Sequence, residues 1–65
     1  MEFDYDSEKD SFYIYLDDDS EVTESVDGDD IVLDYDGNKN LVGIEILNAK
    51  KILSQKIFEK LIKLE

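Results

Sequence analysis

Counted from Asp34, the stretch LDYDGNKNLVGIEIL (33–47) places Asp34, Asp36, Asn38 and Glu45 at positions one, three, five and twelve. Oxygen-bearing side chains at these positions serve a calcium loop, which also needs a sharp turn at position six and flanking helices. Here position six is Lys39, whose charge would face the ion, and both flanks alternate like strands. A simpler reading covers the same residues. Asp36-Gly37-Asn38-Lys39-Asn40 is a hairpin loop, because Asp-Gly and Asn form turns, and Glu45 points outward between the inward Ile44 and Ile46. No metal or other cofactor is expected, and these four residues remain weak candidates. The carboxylates of DDD (17–19) and DGDD (27–30) suit loose, nonspecific divalent binding better.

Catalytic constellations are missing. The chain has neither cysteine nor histidine, which removes thiolate chemistry, disulfides and the commonest general base. Ser7, Ser11, Ser20, Ser25 and Ser54 have no histidine to activate them, and no nucleophile elbow is present. Paired carboxylates could do acid–base work, yet the acids crowd into turns that face water. Lys50 and Lys51 read as solvated. Gly43 lacks the neighbouring glycines and basic residue of a phosphate loop. Inside a strand it marks a bulge or a close approach of the helix. The chain is therefore expected not to be an enzyme.

Tyr13 and Tyr15 carry the remaining chemistry. A tyrosine row beside Asp17, Asp18 and Asp19 could anchor a basic protein, since tyrosine is enriched at interface centres. Alternatively, the rings cover a sheet face or pack in a homodimer.

The elements that hold these residues follow from periodicity. Strands are expected over EFDYD (2–6), SFYIYLD (11–17), VTESV (22–26, a weak edge), IVLDYD (31–36) and LVGIEIL (41–47), where apolar residues alternate. Gly28 is available for a positive φ in the DGDD turn. From Asn48, a suitable N-cap, the spacing of Ile52, Leu53, Ile57, Phe58, Leu61, Ile62 and Leu64 becomes helical, with lysines on the other side. The expected fold is α+β. It is one domain, 1–65, with a small antiparallel sheet of four to five strands over 1–47 and one C-terminal amphipathic helix over 48–64. The helix covers the face of Phe3, Phe12, Ile14, Leu16, Ile31, Leu33, Val42, Ile44 and Ile46, or reaches a partner subunit. Tyr13, Tyr15, Val32, Leu41 and Leu47 fall on the opposite face.

Charge limits the partners. Net charge is −11. Residues 1–48 hold sixteen acids and two lysines, a net of −14, and residues 49–65 hold two acids and five lysines, a net of +3. Such a body repels phosphate backbones and attracts basic partners, although acids also serve solubility alone. No apolar run approaches the roughly 20 residues of a membrane helix, and the acidic start lacks a signal peptide's basic and apolar regions. A soluble cytoplasmic protein without nucleic-acid or membrane partners is expected.

YDSEKDSFYIYL followed by DIVLDYDGNKNLVGIEILNA resembles the small proteins catalogued as domain of unknown function 2283, over about residues 3 to 53. Val42 to Leu47 is the most specific part. Lys50 departs from the serine of the family pattern, and the turn lacks its glycine before Leu41. The resemblance implies the sheet-and-helix fold and no activity. It also implies encoding beside small toxin-like proteins. The leading expectation is a non-enzymatic protein-binding module that holds, and could neutralise, a basic partner such as a toxin. The alternatives are a structural homo-oligomerisation domain and a weak divalent-cation binder.

Overall fold

A β1–β2 hairpin and a β3–β4–β5 meander build the sheet: β1 (Glu2–Asp6), β2 (Ser11–Tyr15), β3 (Glu24–Asp27), β4 (Ile31–Tyr35) and β5 (Leu41–Ile46), followed by α1 (Ala49–Ile52) and α2 (Gln55–Leu64). This computed structural model describes residues 2–64; Met1 and Glu65, which the expected 1–65 domain includes, lie outside the described residues. The strand order is β1-β2-β5-β4-β3, with every neighbouring pair antiparallel. β5 is central, and the weak third strand lies at an edge. Its pairing starts at Glu24 opposite Tyr35, so β3 begins two residues later than the expected Val22.

The register sorts the strands into cross-sheet rows. On one face Phe3, Ile14, Ile44, Leu33 and Val26 form a row, beside a second row of Tyr5, Phe12, Ile46 and Ile31. On the other face Asp4, Tyr13, Glu45, Val32 and Asp27 form a row, beside Glu2, Tyr15, Gly43, Asp34 and Ser25. Alternation in sequence thus becomes one apolar face and one polar, tyrosine-bearing face.

Aspartates shape the turns. Asp6, Asp17 and Asp36 each accept hydrogen bonds from amides two residues on, at Glu8, Asp19 and Asn38, the local bonding that makes Asp a turn former. Asp36 also accepts from the Asn40 amide, which holds its carboxyl below the usual range, and the Asn38 bond adds to this. The positive φ of the β3–β4 turn belongs to Asp30, at 59°, and not to Gly28, whose φ is not positive. Asp tolerates the left-handed region through its short polar side chain.

The single expected helix is two. Leu53 is extended, with φ −96° and ψ 142°. Ser54 then opens α2, its hydroxyl accepting from the Ile57 amide at 3.2 Å. Apolar spacing runs through this break, so periodicity alone does not reveal it. Asn48 does take the N-cap position of α1, its carbonyl accepting from the Ile52 amide at 3.2 Å, but its side chain does not cap. The residue sits at φ 50°, and its side chain donates instead to Asp30 at 2.8 Å. The acceptors for the first amides come from the β1–β2 turn. There the Asp10 carbonyl accepts from the Ala49 amide at 2.9 Å and the Asp10 carboxylate accepts from the Lys50 amide at 3.1 Å. Asp10 also accepts from the Tyr5 hydroxyl at 2.7 Å.

α2 lies against the β1 side of the apolar face. The Phe58 ring is 5.3 Å from Tyr5 and 5.5 Å from Phe12, both edge-on, and Tyr5 and Phe12 are 4.6 Å apart. The buried hydrophobic core among the described residues is only Phe12, Val42 and Ala49. The expected apolar face is present, but the helix covers one half of it. Leu33, Ile44 and Ile46 remain half-buried, and Ile31 is exposed.

Candidate functional site

The site lies on the polar face. The two tyrosines alternate along β2, and their rings meet with centroids 4.3 Å apart. Register sets Tyr13 directly between Asp4 on β1 and Glu45 on β5. Tyr13 leans diagonally across β5 and donates its hydroxyl to Asp34 on β4. The path runs over Gly43. A Cβ there would lie 2.7 Å from the Tyr13 hydroxyl and 3.1 Å from its ring, closer than such contacts permit. Gly43 therefore marks the passage of a side chain, not an approach of the helix. The adjacent register shift at Asp34/Tyr35 makes Val42 an extra residue opposite β4, the expected bulge.

Asp34 is 6% exposed. It accepts from Tyr13 through one oxygen and from the Ser25 hydroxyl, at 2.6 Å, through the other. A buried carboxylate needs such donors. The phenol responds in turn: burial, with the Asp34 hydrogen bond and charge added, pushes Tyr13 up to about 12. The network holds Tyr13 across the sheet, with the Tyr15 ring against it. Beside it is an open cleft of about 190 Å³, lined by Asp4, Asp6, Glu45, Tyr13, Tyr15 and Lys9 among others. Carboxylates and aromatic faces together favour a cation.

The sequence candidates are distributed unevenly. Tyr13 and Tyr15 come together, whereas Asp17, Asp18 and Asp19 lie in the loop after β2 and do not line the cleft. Asp17 is engaged locally, its carboxyl held below the usual range first by the Ser20 hydroxyl at 2.7 Å. The weak metal candidates diverge too. Asp34 is committed to Tyr13 and Ser25, Asp36 and Asn38 belong to the hairpin loop, and Glu45 faces Tyr13. Among the described residues, no group of three or more metal-ligating side chains is placed to hold an ion. Asp4, Asp6, Ser25 and the Gly43–Asp34 passage escaped sequence reasoning. Alternation put Asp4 and Asp6 on one face, but only the register between strands shows which tyrosine they border.

These features define a small acidic α+β protein whose sheet offers one tyrosine- and carboxylate-lined face. The chain belongs to the DUF2283 family, described as proteins of unknown function, whose model matches residues 2–50. α2 lies beyond that match. The chain is 41% identical over 54 residues to the uncharacterized protein MJ0789 of Methanocaldococcus jannaschii, covering 83% of this chain and 46% of that protein. It thus spans just under half the length of this relative. No solved structure matches the chain.

Proposed function

We propose that the chain is a non-enzymatic protein-binding module whose polar sheet face takes a basic segment of a protein partner. One observation carries this reading: Tyr13, tied to Asp34 and with the Tyr15 ring against its own, lies between the cross-strand carboxylates Asp4 and Glu45. An arginine or lysine laid on this face would meet ring faces and carboxylates at once, contacts that strengthen together as water is excluded. The net charge of −11 supports a basic partner and disfavours nucleic acid. No helix among the described residues is long and apolar enough to cross a membrane, and no membrane partner is proposed. A basic toxin-like protein would suit such a face.

The test is an amide-resonance titration with an oligo-arginine peptide at physiological salt. Shifts should concentrate at Asp4, Tyr13, Tyr15 and Glu45 and disappear in Tyr15→Ala and Glu45→Gln. Shifts spread evenly over the acidic loops at 17–19 and 27–30 would reduce the interaction to bulk charge and reject the site.

A further inference from the structure

The apolar face has its own unsolved problem, which is separate from the proposed cationic site. α2 covers the β1 side and leaves the opposite end of both apolar rows open: Val26 is 47% exposed and Ile31 39%. The helix is equally unfinished. Phe58 faces its own sheet, but the adjoining line of Ile57, Leu61 and Leu64, spaced i, i+4 and i+7, leaves Ile57 43% and Leu64 60% exposed. The whole chain shows the same deficit. Its radius of gyration is 12.0 Å, against roughly 10.7 Å for 65 residues. Its accessible surface is 4722 Å², against roughly 4,250 Å² for this mass.

We propose that a second copy of this chain completes the fold, as a two-fold dimer. The exposed line of each α2 lies on the Val26–Ile31 end of its partner's sheet. Charge favours this occupant. Lys56, Lys60 and Lys63, also spaced i, i+4 and i+7, run beside the Ile57–Leu64 line. Glu24 shares the sheet face with Val26, and Asp29 and Asp30 adjoin Ile31 in the turn. Among the described residues the one ion pair is Lys51 with Asp30, at 3.5 Å, so Lys56, Lys60, Lys63 and Glu24 make none with another described residue. A lysine-rimmed apolar helix edge and an acid-rimmed apolar sheet end on one molecule are self-complementary, as a two-fold contact requires. A standard interface takes roughly 800 Å² from each partner, about a sixth of the 4722 Å² surface. The polar face with Tyr13 and Tyr15 stays open on both copies.

Sedimentation equilibrium over a wide concentration range tests the proposal. The expected mass at high concentration is about twice the 7.5 kDa of one chain. Val26→Lys and Leu64→Glu change side chains that are exposed in the monomer, so both should keep the circular dichroism spectrum while raising the dimer dissociation constant at least tenfold. Lys60→Glu should weaken the dimer, and Glu24→Lys added to it should restore association. A chain that stays monomeric throughout overturns the proposal. So does a dimer that Val26→Lys and Leu64→Glu leave intact, since the contact would then lie on an edge strand or another surface.

Discussion

Replacing Tyr13 with Phe removes one hydroxyl and leaves the ring. Its partner Asp34 is 6% exposed and keeps only the Ser25 hydroxyl at 2.6 Å. A hydrogen bond to a charged group contributes about 1.5–3 kcal/mol. Tyr13 itself is only half-buried, so water can partly replace it, and the lower part of that range, about 1.5–2 kcal/mol, applies. For a domain of this size each kcal/mol shifts Tm by about 4–8 °C, so Tyr13→Phe should melt roughly 6–16 °C below the wild type. The assay is thermal unfolding at neutral pH and low protein concentration, which keeps self-association out of the comparison. Asp34→Asn and the double variant complete a cycle, and the two positions should couple by about 1 kcal/mol or more. A Tyr13→Phe variant that melts within about 2 °C of the wild type would refute this account of Asp34, because a buried carboxylate cannot lose a needed donor without cost.

Gly43→Ala should destabilise at least as much as Tyr13→Phe, since the new methyl drives the ring off Asp34; equal melting temperatures for Gly43→Ala and wild type would reject the passage. Phenolate absorbance should show two tyrosines ionising near 12: Tyr5, raised first by its hydrogen bond to Asp10, and Tyr13, raised first by burial. The folded state thus holds these phenols protonated more firmly than the unfolded chain, whose value is 10.0. Their contribution is complete below that value and is lost as pH climbs through about 12, so Tm should fall across this window, less steeply in Tyr13→Phe. Lys39 holds a left-handed conformation, φ 66°, at a position glycine fills without strain, so Lys39→Gly should stabilise by up to about 1 kcal/mol, read as a higher denaturant midpoint. Sodium chloride should raise Tm by screening a net charge of −11, and a flat response would show that the acids are locally compensated.

The acidity looks different once the turns are seen. Asp6, Asp17 and Asp36 close turns, Asp10 and Asp30 hold α1, and Asp34 is buried. A third of the 18 acids are therefore hydrogen-bonding parts of the fold, which composition reads only as charge.

The sequence by itself determined the strands, their two faces and the change to helical period after β5, because each depends on neighbours two to four residues apart. It also placed Tyr13 and Tyr15 on a common face. Tertiary structure alone decided the strand order, the capping of α1 by Asp10 from 40 residues away, and the bond from Tyr13 to Asp34 across 21 residues. It also decided how little of the apolar face α2 covers. Local periodicity says which way a side chain points. What it meets there depends on register and on the shape of distant elements, and at Gly43 on the absence of a single carbon.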